Sequence, residues 1–357
     1  MRKRKLIPLS IASGIIVALG IAVVLRKEAP PEAARLLPES DAIVYIHLKS
    51  VRSITHFDRS PVARSPGLQA FIDATGIVPE RDIDAAAFAL HRIPIAATAA
   101  EPAHAELYMS EVFVGRFDGE LLLHYLNSAA SSRETYAGHT VYSIPIQTGE
   151  PGGQTLRVAQ LGYDTIAASN MPTSEQIHSM MDRSRASALA TPGCSLLSAR
   201  YHDVPLLAQA WGIGHIGLPF SRNGQITVLG TTLPLPEDSD LVASLSYLGA
   251  EHMLAGGSVK LRVEAFAPDP ATAQRTTDSL TTLLNLLRGI DLTPPGGPNS
   301  SDTAIHTILA GTRLQQHDDR AVLESSATVE QLKAIFAAHD PAAAAPSDTS
   351  VPPSLLK

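Results

Sequence analysis

Residues 36–53 of the chain read LLPESDAIVYIHLKSVRS, and this stretch decides where the fold begins. At its centre, Ile43 and Tyr45 alternate with Val44 and Ile46, so one set of apolar side chains points to each side. β-Branched and aromatic residues are enriched in strands because they pack well on a pleated surface. The sequence therefore predicts that the folded part of the chain opens with a strand.

Downstream of this strand, the first half of the chain alternates strand and helix signals. Residues 66–75 place apolar side chains on one helical face and end at Gly76, while Asp118 is an N-cap for a second helix. Thr173 and Gln176 form a capping box that opens a third helix. Strands are predicted at 85–90, 111–117, 136–144 and 155–161.

The second half repeats this order of elements. Residues 241–248 and 259–266 are predicted to form a hairpin, and Asp269 precedes the longest amphipathic helix, which begins at Pro270. A second capping box, from Thr328 to Gln331, follows two further strand signals at 313–317 and 321–325. Either the halves share an ancestral duplication, or a common capping motif has recurred by chance.

These signals predict an α+β fold, in which an N-terminal transmembrane helix precedes antiparallel sheets with helices packed on one face, arranged as two related halves. The expected organisation is a basic cytoplasmic stub at 1–5, a transmembrane anchor at 6–25, a linker at 26–35, a first α+β half at 36–185, a connecting region at 186–240, a second α+β half at 241–339 and a disordered tail at 340–357.

The anchor is predicted from residues 6–25, LIPLSIASGIIVALGIAVVL, which contain no charge. As a helix this run spans roughly 30 Å, the hydrocarbon thickness of a bilayer. A cleaved signal peptide is the alternative, but the run is longer than the usual apolar region of such signals and lacks a convincing cleavage site. Four basic residues precede the run and two follow it, which predicts a cytoplasmic N-terminus and an exported body.

A stripe of small residues recurs at every fourth position of the anchor: Ser10, Gly14, Ala18 and Ala22. Small residues at this spacing allow two transmembrane helices to approach closely. Weak self-association through the stripe is one interpretation. The other is that small residues are simply common in membrane helices.

Composition and charge exclude several classes of protein. The chain has 357 residues, a formal net charge of −7 and one cysteine, Cys194. Residues 1–27 hold six basic and no acidic side chains, so the remaining 22 basic residues face 35 acidic ones, a balance of −13. An acidic body argues against nucleic-acid binding, and a lone cysteine excludes disulfide frameworks and cysteine-based metal clusters.

No motif identifies a catalytic, cofactor-binding or metal-binding residue. Residues 212–217 match the dinucleotide pattern G-x-G-x-x-G by letter, but residues 206–211 indicate a helix where that site requires a strand. The thirteen histidines lack the close pairing that zinc sites use. A G-x-S-x-G nucleophile motif is absent, and nothing near Cys194 predicts a lowered thiol pKa. We therefore expect no cofactor and an inert thiol.

The opening strand and the residues that precede it, LPESDAIVYIHL at 37–48, resemble a segment found in a loose group of uncharacterised bacterial single-pass envelope proteins. In that group an anchor precedes a strand of the pattern Leu-Pro-x-x-Asp-Ala-hydrophobic-Tyr. Segments at 76–84, 113–118 and 136–142 are also similar to it, so the resemblance covers roughly residues 36–170. It implies a place in the envelope and a fold, and it implies no catalytic residue.

We therefore expect a non-enzymatic binding or scaffolding component of the bacterial cell envelope. It would sit in the inner membrane through residues 6–25, with most of the chain periplasmic or extracellular and a protein partner in the envelope. Two alternatives stay open: an envelope hydrolase whose site assembles only in three dimensions, and a protein that binds lipid or another hydrophobic ligand between its halves. A His within hydrogen-bond reach of Ser or Cys in a pocket would favour the hydrolase, and an apolar cleft would favour the ligand-binding protein.

Overall fold

The computed structural model describes residues 29–59, 64–96, 104–146, 153–186, 193–215, 225–228, 231–234, 240–248, 257–289 and 300–338. The expected anchor with its stripe of Ser10, Gly14, Ala18 and Ala22, and the expected tail, lie outside these residues. Of the helices within them, none combines the length and the apolar character needed to cross a bilayer.

The described residues fold into strands and helices in alternation. The strands are β1 (Ala42–Ile46), β2 (Ile83–Ile95), β3 (His104–Gly115), β4 (Ser132–Tyr136), β5 (His139–Ile146), β6 (Gln154–Gln160), β7 (Thr165–Ser169), β8 (Ala208–His215), β9 (Gln225–Val228), β10 (Thr231–Pro234), β11 (Asp240–Leu248), β12 (Ser258–Phe266), β13 (Arg313–His317) and β14 (Arg320–Thr328). The helices are α1 (Glu32–Leu36), α2 (Leu48–Thr55), α3 (Pro66–Thr75), α4 (Pro79–Asp82), α5 (Gly119–Ala129), α6 (Glu175–Arg185), α7 (Ser195–Arg200), α8 (Pro270–Gly289), α9 (Ser300–Gly311) and α10 (Val329–Ala338).

One sheet of twelve strands runs through both halves of the chain, in the order β13-β14-β12-β11-β8-β1-β2-β3-β7-β6-β5-β4. Every neighbouring pair in it is antiparallel, so the predicted α+β class with an antiparallel sheet is confirmed. β9 and β10 form a separate two-stranded ribbon. Directly opposed residues share a face of the sheet. One such row crosses all twelve strands through Leu314, Leu323, Val263, Ala243, Gly212, Val44, Phe88, Glu111, Ala168, Val158, Tyr142 and Arg133.

The face that carries this row is called the Val44 face, and the opposite one the Tyr45 face. In the first half, helices cover both. Residues of α1, α6 and α7, such as Leu36, Met180 and Leu197, bury the Tyr45 face in the largest apolar cluster. Leu122 and Leu126 of α5, with α3, cover Tyr142, Val158 and Ala168 on the Val44 face. The structure thus differs from the prediction that helices pack on one face, because these strands are apolar on both sides.

In the second half, α8 and α9 pack on the Val44 face. Gln316 Nε2 donates to the Pro270 carbonyl at 2.9 Å, and Thr312 Oγ1 lies 2.9 Å from Ser325 Oγ. On the Tyr45 face the same strands carry charged residues: Arg262 lies opposite Glu324, with Glu264 two positions further along β12. The Tyr45 face is therefore mainly apolar in the first half and carries ion pairs in the second half.

Most local predictions are confirmed by the backbone. Asp118 Oδ1 accepts hydrogen bonds from the N–H groups of Glu120 and Leu121 at 3.0 and 3.1 Å, which caps α5. α3 ends at Gly76, whose φ of 70° suits glycine. The second capping box is reciprocal, since Thr328 N–H donates to Gln331 Oε1 at 2.8 Å and Gln331 N–H to Thr328 Oγ1 at 3.2 Å.

Three local predictions are wrong. The first capping box does not form, because Ser174 is the N-cap of α6 and its side chain makes no capping hydrogen bond. The predicted strand at 136–144 is divided into β4 and β5 by a tight turn, in which Ala137 and Gly138 have φ of 51° and 86°. Residues 206–211, predicted helical, form a turn and the start of β8, because β1 and β11 pair with this segment on either side.

The residues that lead into β1 fasten it to two helices. Glu39 accepts hydrogen bonds from Ser195 Oγ and N–H, at 2.6 and 2.9 Å to Oε2, and its Oε1 lies 3.0 Å from Arg183 Nη2. Burial opposes ionisation of Glu39, but the bonds from Ser195 and Arg183 outweigh it and lower the pKa of this carboxyl. Asp41 Oδ2 accepts from the Arg92 N–H at 2.7 Å. The motif at 37–41 therefore fixes where the central strand starts.

Candidate functional site

The centre of the sheet is a seam between β1 from the first half and β8 from the connecting region. Tyr45 lies directly opposite Trp211 across this seam. Their rings stack with centroids 5.4 Å apart, and Tyr201 meets Trp211 edge-on at 5.6 Å. Both arrangements are favourable for aromatic rings. Tyr45 thus forms one cluster with Tyr201 and Trp211, which lie far from it in sequence.

A cavity of about 340 Å³ opens beside these rings. We call it the seam cavity. Its walls are the three aromatic residues together with an aliphatic group made of Val204, Pro205, Leu206, Leu207 and Ala208. Its volume is at the lower end of the range for small-molecule sites, roughly 300–1,000 Å³. Among the described residues that line it there is no lysine, arginine, aspartate or glutamate, and polar and apolar atoms contribute comparably to its surface, so the walls suit a ligand with both an apolar chain and a polar end.

The polar side chains of the seam cavity, His47, Ser50 and Gln209, make structural hydrogen bonds. His47 is the N-cap of α2, and its Nδ1 lies 2.5 Å from Ser50 Oγ in the first turn. The His47 N–H donates to the Gln209 carbonyl at 2.7 Å, and Gln209 Oε1 accepts from the Tyr247 N–H at 2.6 Å. These bonds hold α2 and β11 at the rim. They also place a His and a Ser within hydrogen-bond reach of each other in a cavity.

A second histidine–serine contact is buried inside the sheet. His91 Nε2 lies 2.9 Å from Ser110 Oγ, which is 3.0 Å from Ser169 Oγ, so the chain of contacts crosses β2, β3 and β7. Burial lowers the pKa of His91 below its ordinary value of 6.5 and keeps the imidazole neutral. Ser110 is fully buried, so a substrate cannot reach its hydroxyl while the sheet is intact. We assign this group a structural role.

The lone cysteine and two glycines of the G-x-G-x-x-G match also have structural roles. Cys194 is the buried N-cap of α7, and burial raises the pKa of its thiol, as expected for an inert cysteine. Gly212 and Gly214 lie within β8 rather than in a phosphate-binding loop. A Cβ at Gly214 would come within 2.6 Å of the Ala42 Cβ, so close packing against β1 requires glycine there.

The structure brings together residues that no local motif connects. Tyr201 and Trp211 are ten positions apart, but Tyr45 joins them because β1 pairs with β8, and neither periodicity nor spacing encodes that pairing. The one usable signal is composition, since Trp211 is the sole tryptophan of a chain with only 5% aromatic residues. Within the described part of the chain, no cluster of three or more His, Cys, Asp or Glu side chains could hold a metal ion.

Comparison with known proteins adds little. No protein-family model matches the chain, and no curated protein matches it at a significant level. Two solved structures, crystal forms III and I of TP0453, are similar with TM-scores of 0.43 and 0.41 and sequence identities of 10% and 9%. The matches cover 87% of this chain and 99% and 98% of those chains. Likeness at this level assigns neither a family nor a function.

Proposed function

We propose that the chain is a non-enzymatic binding protein of the bacterial cell envelope, anchored in the inner membrane by residues 6–25, and that the seam cavity binds a hydrophobic ligand. The main support is the cavity wall, where Tyr45, Tyr201 and Trp211 face an aliphatic group without a charged neighbour. Each methylene that such a wall removes from water contributes about 0.8 kcal/mol. An amphiphile with a single acyl chain and a polar end is the ligand class that fits these walls, which also include His47, Ser50 and Gln209.

The position of the cavity relative to the anchor supports the same proposal. Ala29 and Pro31, at the start of the described chain, line the cavity. Ala29 follows the last residue of the apolar run, Leu25, by four positions. Four residues span at most about 14 Å even when fully extended. A ligand from the membrane would therefore have a short path to the cavity.

The sole tryptophan supplies the test. We expect bromoundecanoic acid, whose bromine quenches tryptophan only at near-contact, to reduce Trp211 emission saturably in the full chain reconstituted in nanodiscs. Ala208→Phe fills part of the cavity and should weaken the apparent affinity about tenfold, with the fold checked by circular dichroism. Ala271→Phe, on the exposed side of α8, is the matched control. Unsaturable quenching, or equal affinity in Ala208→Phe, would overturn the proposal.

The contact between His47 and Ser50 favours a second candidate, a hydrolase acting on an ester bound in the cavity. A serine hydrolase needs a base that is oriented by a third group, usually a carboxylate, and no described carboxylate lines the cavity. A fluorophosphonate probe decides between the two. Labelling of the full chain that disappears in Ser50→Ala would establish the hydrolase, whereas we expect no labelling.

The order of elements supports the proposal of two related halves. In the first half, β1, β2 and β3 lead to an Asp-capped helix, and the hairpin of β6 and β7 then leads to α6. From the connecting region into the second half, β8, β11 and β12 lead to α8, whose start is capped by Asp269, and the hairpin of β13 and β14 leads to α10. β1 and β8 meet antiparallel at the centre, as an internal two-fold axis requires.

Two partner predictions stay part of the proposal. A protein partner in the envelope should be recovered at constant stoichiometry after crosslinking of membranes, and repeated absence would count against a scaffolding role. Weak self-association through Ser10, Gly14, Ala18 and Ala22 should be lost in Gly14→Ile, as measured by a membrane-association reporter.

A further inference from the structure

We propose that the turn formed by Pro205, Leu206, Leu207 and Ala208 inserts into the surface of the bilayer, so that the seam cavity exchanges its ligand directly with the lipid leaflet. We call this segment the leucine turn. The exchange rests on the ligand binding of the proposed function, whereas the contact with the bilayer rests on the turn itself and on the proposed anchor at 6–25.

The chemistry of the leucine turn is unusual for a turn in water. The Ala208 N–H donates to the Pro205 carbonyl at 3.0 Å, which places Leu206 and Leu207 at the tip. Tips of this kind usually hold Gly, Asn, Asp or Ser, whose side chains favour turn geometry and water. Leu206 and Leu207 are instead 38% and 68% exposed. Two adjacent exposed leucines at the tip of a turn are suited to contact with an apolar surface rather than with water.

The position of the turn identifies that surface as the bilayer. The leucine turn and Ala29 line the same cavity, so they lie on one side of the molecule. Because Ala29 is at most about 14 Å of chain from the end of the apolar run at residue 25, that side faces the membrane in which the run is anchored. The three residues between the run and Ala29 are Arg26, Lys27 and Glu28, with a net charge of +1 that favours anionic headgroups.

The cavity then has its opening where lipid is available. Leu206 and Leu207 belong both to the exposed tip and to the cavity wall. Insertion of the tip would bring the cavity opening level with the headgroups. An acyl chain could then move from the leaflet into the cavity without passing through water. Trp211, 4% exposed on the inner wall, would lie close to the bilayer surface.

Brominated lipids test the contact. The full chain is reconstituted in vesicles of phosphatidylcholine and phosphatidylglycerol, with bromine on the acyl carbons nearest the headgroup. Because Trp211 is 4% exposed and lies behind the turn, we expect partial quenching in the wild type and recovery of most of the lost emission in the double variant Leu206→Ser/Leu207→Ser. The double variant Leu121→Ser/Leu123→Ser is the matched control, because these leucines of α5 are 45% and 39% exposed, and it should stay quenched.

The outcomes separate this proposal from the proposed function. Absence of lipid quenching in the wild type, or quenching that persists in Leu206→Ser/Leu207→Ser, overturns the insertion of the leucine turn. Saturable quenching by bromoundecanoic acid would in either case leave the binding function standing. If bromoundecanoic acid fails to quench while the lipids do so through the leucine turn, the turn contacts the bilayer and the cavity does not bind an acyl chain. Equal urea midpoints for the variants exclude unfolding as the cause.

Discussion

The two halves of the sheet share strand order but differ in what lies on the Tyr45 face. A single transverse row shows the change. On the side of the first half it passes from Tyr45 through Ala87, Val112, Ala167, Ala159 and Val141 and ends at Glu134 on the edge strand. On the side of the second half it passes from Trp211 through Ser244, Arg262, Glu324 and Arg313. The row therefore changes from mainly apolar to mainly polar and charged residues at the seam.

The difference shows that two kinds of interaction stabilise one sheet. In the first half, small residues such as Ala87 and Val112 are fully buried, which lets helices approach closely. In the second half, Phe266 lies between the guanidinium groups of Arg200 and Arg320, 4.1 and 4.4 Å from its ring centroid. Two arginines of the ion pairs in this half are 32% and 30% exposed, and partly exposed ion pairs contribute less to the free energy of unfolding than fully buried apolar side chains do. We therefore expect the first half to dominate the free energy of unfolding.

Leu197→Ala should cause the largest loss of stability. Leu197 is fully buried in the cluster that joins α7 to the first half, so truncation leaves a cavity and should cost about 2–5 kcal/mol. Urea unfolding of the full chain, followed by Trp211 emission, measures the change. Leu314→Ala, at the half-buried edge of the second half, is the control and should cost less. Equal losses at the two sites would break the comparison.

Glu264→Gln tests the charged half. The side chain of Glu264 is only 6% exposed and accepts from Arg262 Nε at 2.6 Å and Arg320 Nη1 at 2.9 Å. Removing its charge leaves both guanidinium groups without their central partner, and we expect a loss of about 2 kcal/mol in the same urea titration. Glu324→Gln, at a site that is 35% exposed, should cost less than about 1 kcal/mol. A larger effect at Glu324 would contradict this account.

The pH dependence of stability should report on the first half. Burial lowers the pKa of His91 in the folded state, so the unfolded chain binds its proton more readily. The associated stability is complete above the ordinary histidine value of 6.5 and is lost as the pH falls below it. Between about pH 7.5 and about pH 5, the urea midpoint should fall more in the wild type than in His91→Gln, which cannot take up the proton. Parallel pH profiles would exclude His91 as the cause.

The smallest expected effect distinguishes two helix starts with similar sequences. Thr328→Ala removes one bond of a reciprocal capping box and should destabilise the chain by about 1 kcal/mol. Ser174→Ala removes a side chain that makes no capping bond, so its midpoint should stay within about 0.3 kcal/mol of the wild type. A matching loss in Ser174→Ala would mean that both helix starts are capped in solution.

Local signals predicted local structure well. Asp118 before an apolar helix and Gly76 after one were sufficient, because the bonds that they make span only a few residues. The same signals failed at residues 206–211, where pairing with β1 and β11 outweighs helix propensity. The seam cavity could not be predicted at all, since Tyr45 becomes a neighbour of Tyr201 and Trp211 only through that long-range pairing.

The pairing of β1 with β8 also determines the order in which the molecule can form. Their paired residues are separated by 164 positions at Ile46 and Ala210 and by 172 at Ala42 and Gly214, a high contact order for the two central strands. At about 5–20 residues per second, the interval between the synthesis of β1 and that of β8 is on the order of ten seconds. Throughout this interval one edge of β1 lacks its partner and is open to wrong pairing. The seam cavity therefore forms late in folding. Until β8 pairs with β1, the free edge of β1 must be protected from pairing with other strands.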